Sequence, residues 1–156
     1  MDKNAVVEAL LDSLKGELNS AVAASHDAAD YAVDEEARAE SQWDTQGLEA
    51  SYLAAGQASQ ARQWAESIES LERSRNELLE ARTQIALGAV TRCEIKGAKE
   101  HFFVAPVGGG QVLSLDDTTL TVLTPRSPLA TRMWGKQAGE SFVLANGDGA
   151  RILDIH

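Results

Sequence analysis

Cysteine, proline and aromatic side chains are all scarce in this chain of 156 residues, which holds one cysteine, three prolines and 5% aromatics. A lone cysteine, Cys93, excludes an internal disulfide framework and fits a reducing compartment. So few aromatics leave little material for a thick core and point to extended helical surface. No stretch approaches the roughly 18 uncharged apolar residues of a membrane-spanning helix. Met1-Asp2-Lys3 opens no signal peptide, so a cytoplasmic protein without membrane contact is expected. His26, His101 and His156 are dispersed and share no Cys/His spacing of the kind that holds structural zinc. There is no Gly-x-Ser-x-Gly elbow and no phosphate loop, and Gly108-Gly109-Gly110 reads as a flexible turn. Cys93 lies in a predicted strand and is expected to pack. A self-contained active site is not visible.

Positive charge is also scarce, but only in one half. Residues 1–84 carry 17 acidic and 7 basic side chains, a net of −10, whereas residues 85–156 carry 7 of each. Phosphate backbones repel the first half, which excludes stable direct DNA binding through it and favours basic protein surfaces or metal ions as partners. The acid is concentrated from His26 to Glu49, where Asp27, Asp30, Asp34, Glu35, Glu36, Glu40, Asp44 and Glu49 stand against Arg38 alone.

What is present is helical periodicity. Val7, Leu11, Leu14, Leu18, Ala21, Ser25, Ala28 and Ala32 are spaced alternately by 4 and 3, the coiled-coil pattern. Ala50, Ala54, Gln57, Ala61, Trp64, Ile68, Leu71, Arg75 and Leu78 make a second such seam. Laid antiparallel, the seams match: Leu11 falls opposite Leu71, Leu14 opposite Ile68, Leu18 opposite Trp64, and alanine meets alanine beyond Ser25 and Gln57. The chain then reverses near residue 41, inside the acidic stretch. Residues 1–83 are therefore predicted to form an antiparallel coiled-coil hairpin with an acidic tip near residues 35–49, on the order of 50 Å long at about 1.5 Å per residue. Ser41, Asp44 and Thr45 each have the side chain to cap its second helix. Trp43 is expected to touch a partner or fold back on the tip. Two carboxylates there can hold a divalent cation weakly and so complete a partner's metal site.

Residues 84–156 differ in texture, with Gly, Val, Thr and Phe replacing Ala and Glu. The spacing predicts strands over 89–95, 101–105, 111–114, 120–123, 140–144 and 150–155, with Asn146-Gly147-Asp148-Gly149 as a hairpin turn. One short helix interrupts them: Ser127 is an N-cap, Pro128 suits the first turn, and Gly135 stops it after Trp134. A few strands with one helix laid over them make an α+β domain.

Here the residues resemble a known family. Leu123-Thr124-Pro125-Arg126-Ser127-Pro128-Leu129-Ala130, then Trp134-Gly135-Lys136, Gly139-Glu140 and the closing Ile152-Leu153-Asp154-Ile155 are similar to the C-terminal domain of bacterial Gre-type transcription elongation (transcript-cleavage) factors. Ile68-x-x-Leu71-Glu72 falls where that family's second helix carries the same motif. The resemblance implies an N-terminal coiled coil followed by a domain of FK506-binding-protein-like fold. It implies a monomeric accessory factor, not itself an enzyme, that binds RNA polymerase and reaches down its secondary channel. Ser127, Pro128 and Leu129 would then lie in or near the polymerase-contacting part. Tip acids would share Mg2+ with the polymerase active site and assist hydrolysis of backtracked transcripts.

The family's cleavage pattern, Asp-x-x-Glu-Asn-Ala-Glu-Tyr, corresponds to Asp44-Thr-Gln-Gly-Leu-Glu49-Ala-Ser-Tyr52 here. Anchored on Ala50 and Tyr52, each acid is displaced by one position, so the pair stands five apart rather than three. Asp44 and Glu49 are the candidate catalytic and metal-holding residues, with Glu40 in reserve. The displaced spacing equally fits a secondary-channel regulator that does not cleave. A prolyl isomerase or chaperone is a third class, but the domain offers it only Phe102, Phe103, Trp134 and Phe142 as aromatics.

Overall fold

The computed structural model describes residues 1–38 and 46–156, with side chains described for 1–30 and 52–156. Helices come first: α1 (Lys3–Arg38), α2 (Gln46–Arg73) and the short α3 (Arg75–Leu79). The reversal expected near residue 41 lies outside the described residues, as do Glu40, Trp43 and Asp44. Beyond α3 come β1 (Val90–Ile95), β2 (Ala98–Val104), β3 (Val112–Leu115), β4 (Thr118–Leu123), α4 (Pro128–Met133), β5 (Ser141–Val143) and β6 (Gly149–Ile155). The protein is thus α+β, long helices followed by one six-stranded sheet. None of the described helices is long and apolar enough to cross a membrane.

Compaction divides the chain at Ser13/Leu14 and Ile68/Glu69: Met1–Ser13 joins Glu69–His156 in one unit, and Leu14–Ile68 forms the other. Within the second unit the seam positions are the covered ones. Leu14, Ala21 and Ala28 are buried, Leu18 and Ser25 half-buried, and the intervening Lys15, Asn19, Val22 and His26 are exposed. On α2, Ala54, Gln57, Ala61, Trp64 and Ile68 are half-buried, whereas Tyr52 and Leu53 are exposed. Ser25 Oγ donates to the Ala54 carbonyl at 3.3 Å, so the polar seam residue spends its hydroxyl on the facing backbone. Alanine layers permit this approach but bury little area per layer.

The first unit is built on the sheet, in the order β3-β4-β2-β1-β6-β5. Every neighbouring pair is antiparallel except β2 and β4, which run parallel. All six expected strands form. The second begins three residues earlier than expected, because Lys96 (φ 53) and Gly97 (φ 79) make a two-residue turn and Ile95 pairs at once with Ala98. Positive φ at both central residues is the twist that matches a hairpin. The turn after β5 is the expected one: Gly147 adopts φ 89, and Asn146 Oδ1 accepts from the Asp148 amide at 3.0 Å.

Both faces of the central strands are covered, which is why consecutive phenylalanines on β2 are both buried. Phe102 and Val104 join Cys93, Leu123, Phe142, Ala150 and Ile152 under Ala130 and Met133 of α4. The opposite face buries Val90, Phe103, Leu113, Leu120 and Val122. Ser13 Oγ donates to Gln111 Oε1 at 2.6 Å on that side, and Met1 lines a cleft there with Val90, Arg92 and His101. The first turns of α1 therefore lie against this face, where Val6, Val7 and Leu10 are fully buried.

Polar contacts tie α1 to α3 in the same unit. Arg75 donates from Nη2 to Asn4 Oδ1 at 2.8 Å and pairs with Glu8. Arg75, a polar exception in the predicted seam, is thus explained by an acid on the facing helix. The second seam does run on to the buried Leu78, although the helix is interrupted at Ser74. The bonds Ser74 N to Ser70 O (3.1 Å) and Leu78 N to Ser74 O (3.0 Å) bridge that break.

Candidate functional site

The site begins with the residue that starts α4. Ser127 is extended (φ −64, ψ 144), and its Oγ accepts from the Ala130 amide at 3.2 Å. Its carbonyl accepts from the Thr131 amide at 3.0 Å and from Thr131 Oγ1 at 2.9 Å. Pro128 follows in the first turn, where a missing N–H costs nothing. Ser127 therefore acts as a helix cap, its side-chain oxygen engaged internally. Ser127→Ala is expected to destabilise the protein by about 1 kcal/mol, read as a shift in urea midpoint, while Ser127→Asp keeps most of that stability.

The cap fixes how α4 sits. Ala130 and Met133 point into the core, with Met133 Sδ 3.8 Å from Cys93 Sγ. Pro128, Leu129 and Arg132 are left lining a groove of about 400 Å³, whose other wall includes Ile95, Leu144 and Ala145. Glu100 and Asn146 stand among its polar residues, and Arg132 Nη1 donates to the Val143 carbonyl at 3.0 Å, covering part of the β5 edge. Lys96 pairs with Asp148 at 2.7 Å, pinning the β1–β2 turn to the β5–β6 turn beside Asn146. That ammonium lowers the Asp148 carboxyl below its usual range, chiefly through the hydrogen bond it donates. An apolar floor with isolated charges of both signs suits a protein segment with an apolar face rather than a phosphate backbone.

Of the expected site residues, Pro128 and Leu129 are in this groove and Ser127 supports them from behind. Glu49 belongs to α2, with its side chain outside the described set, and Asp44 is outside it altogether. Ile95, Leu144 and Ala145 were not anticipated as neighbours of Pro128. Their only local signal is apolar character at strand ends, and their convergence needs the register of three strands.

Cys93 is fully buried, and loss of solvation pushes its thiol up to about 11 against the weaker opposing effect of the Thr91 hydroxyl. At neutral pH it is a packed thiol without nucleophilic character. On the opposite sheet face, a cleft of about 260 Å³ holds Arg92, His101, Asp154 and His156. Arg92 Nη2 lies 2.5 Å from Asp154 Oδ2, so the guanidinium is already matched by a carboxylate across the β1–β6 pair. Among the described residues, no three His, Cys, Asp or Glu side chains gather as a metal site.

The chain is a two-unit α+β protein, long helices followed by a six-stranded sheet, with an apolar groove beside α4 on its sheet unit. Compared with solved structures, the chain is similar to GreA factor homolog 1 (Gfh1) of Thermus thermophilus, at 19% identity over 94% of both chains and a TM-score of 0.36. It is also similar to Gfh1 of Thermus aquaticus, at 21% identity over 96% of this chain and 95% of that one, TM-score 0.35. A third structure, of the transcription factor Gfh1, is 21% identical over 95% and 94% of the two chains, TM-score 0.38. No protein-family model and no curated protein matches the chain.

Proposed function

We propose that this chain is a Gre-like transcription factor that binds RNA polymerase and acts through its secondary channel. The observation that carries the reading is the Ser127-Pro128-Leu129-Ala130 segment. Its residues resemble the Gre C-terminal motif, and they form a capped helix that sets Pro128 and Leu129 on an apolar groove. On this reading the sheet unit has the FK506-binding-protein-like fold of that family and docks through the groove, and the paired helices carry the acidic stretch into the channel. Docking is a task for a monomeric accessory factor, and the chemistry remains the polymerase's.

Asp44 and Glu49 are the residues assigned to that chemistry. Their carboxylate oxygens are the hard donors that Mg2+ takes, and two carboxylates leave most of its octahedron for other ligands. The pair fits a shared ion held jointly with the polymerase and does not fit a site of its own. When bound, the ion supplies Lewis-acid polarisation for phosphodiester hydrolysis. The two residues orient the ion's neighbours by accepting hydrogen bonds and by presenting negative charge at the channel end. The five-residue separation of Asp44 and Glu49 motivates a second reading, a factor that occupies the channel and regulates without cleaving. Prolyl isomerase activity has little support, since Phe102, Phe103 and Phe142 are all in the core and Trp134 alone of the four is exposed.

Stalled, backtracked elongation complexes separate these readings. Shortening of the transcript by the wild-type protein, abolished by Asp44→Ala or Glu49→Ala with polymerase binding near normal, is the expected result. Competition with a cleavage factor without any shortening establishes the regulator instead. Leu129→Asp is expected to weaken polymerase binding at least about tenfold by placing a charge in the docked groove; undiminished binding removes the groove from the account.

A further inference from the structure

The open sheet has two edges, and they differ. At β5 the Val143 carbonyl is taken by Arg132 Nη1 at 3.0 Å. At the other end β3 is paired on one side only, to β4. The phase of that pairing is set by Val122, whose amide donates to the Gln111 carbonyl at 2.8 Å and whose carbonyl accepts from the Gly110 amide at 2.9 Å. Two positions along the register, Leu113 and Leu120 are the next pair to exchange hydrogen bonds. The N–H and C=O of Val112 and of Ser114 therefore point away from β4, and among the described residues they have no backbone partner. Exposed edges are commonly blunted by a charge, a proline or a covering element. From Gly110 to Leu115 there is neither a charged residue nor a proline, and Val112 is 62% exposed although its neighbour Leu113 is buried. Charge stands only at the end of the strand, where the exposed Asp116 (φ 50) and Asp117 form the turn into β4.

We propose that the β3 edge docks an extended segment of a partner protein, which adds antiparallel to β3 as a further strand and begins with a lysine or arginine. Main-chain bonds to Val112 and Ser114 hold the segment, and its side chains set the choice of partner. An antiparallel strand starts where β3 ends, so its first residue lies at Asp116 and Asp117, where a cation meets two carboxylates. The residue opposite Leu113 should be apolar, to extend the face that buries Leu113 and Leu120. The residue opposite Val112 should be apolar too, to cover that side chain, whereas a polar one suffices opposite Ser114. A second copy of the chain fits less well. Paired antiparallel about Leu113, each Asp116 would face Gly110 of the other copy and find no cation. None of these residues lines the groove beside α4, so the edge is a separate surface and its test does not depend on polymerase binding.

The test titrates the full-length, isotope-labelled protein with the synthetic peptide acetyl-Lys-Thr-Thr-Val-Val-Thr-amide and follows amide exchange by NMR. At about 1 mM peptide, exchange of the Val112 and Ser114 amides should slow at least about fivefold, while that of Leu113, already paired to β4, changes little. A peptide with proline as its third residue, opposite Ser114, should not bind, because the N–H offered to the Ser114 carbonyl is gone. A peptide with glutamate in place of its lysine should bind at least about threefold more weakly at low salt. Val112→Lys, at a side chain already exposed, should weaken binding about tenfold by adding the kind of charge that blunts an edge. Unchanged exchange at Val112 and Ser114 in the wild-type protein, or protection that persists with the proline peptide, overturns the docking. Equal binding of the lysine and glutamate peptides overturns the basic lead. Protection that grows with protein concentration in the absence of peptide assigns the edge to a second copy and overturns the partner.

Discussion

Gly88→Ala is expected to cost at least about 3 kcal/mol of stability, enough to remove a large share of what a typical domain has. Gly88 adopts φ +85, where a side chain alone costs roughly 1–2 kcal/mol. The added Cβ would also meet the backbone of α3, at 2.9 Å from Leu78 Cα, 3.0 Å from Leu78 O and 3.2 Å from Glu77 O. Backbone cannot swing aside as a side-chain tip can, so α3 itself must shift. Leu78 is fully buried and the Gly88 amide donates to the Val104 carbonyl at 2.8 Å, so movement on either side breaks something already paired. Urea titration by circular dichroism should show a lowered midpoint with an unchanged slope. A midpoint within experimental error of wild type contradicts this close packing.

Phe103→Ala carries the other large effect, about 3–5 kcal/mol. Phe103 is 0% exposed, cross-strand from Val90 and beside Val122 on the parallel neighbour. Its removal leaves a cavity between the sheet and the elements over it, which rigid strands on both sides of β2 cannot fill. The measured quantity is again the unfolding free energy. A loss below about 1 kcal/mol means that the site collapses freely and this face is not close-packed.

Much of this architecture is legible in residue spacing. The 4–3 alternation marks which residues of α1 and α2 are covered, and Ser127-Pro128 marks the start of α4 to within a residue, since caps and periodicity are local signals. The parallel pairing of β2 with β4 is not local. The pattern of β2 shows that both its faces are buried, but nothing in it identifies which strand lies alongside. The same limit hides the groove: Leu129 is prominent in sequence, whereas Ile95 and Leu144 reach it only through register. Arg75 reads as a flaw in the seam because its partners, Asn4 and Glu8, are far away in sequence. At the acidic stretch, the family resemblance names Asp44 and Glu49 as candidates, but side-chain geometry decides whether two carboxylates five residues apart share one ion.

The Ser13–Gln111 hydrogen bond joins residues 98 positions apart, and the unit it belongs to draws its first residues and its last ones into one fold. Closing contacts at such separation is slow relative to pairing two helices through a short connection. During synthesis, the Leu14–Ile68 segment has all its own residues well before β4 leaves the ribosome, whereas Val6, Val7 and Leu10 must wait for the sheet that buries them. Those apolar turns of α1 are therefore the surface a nascent chain of this protein keeps exposed longest, and the place where a chaperone would find it.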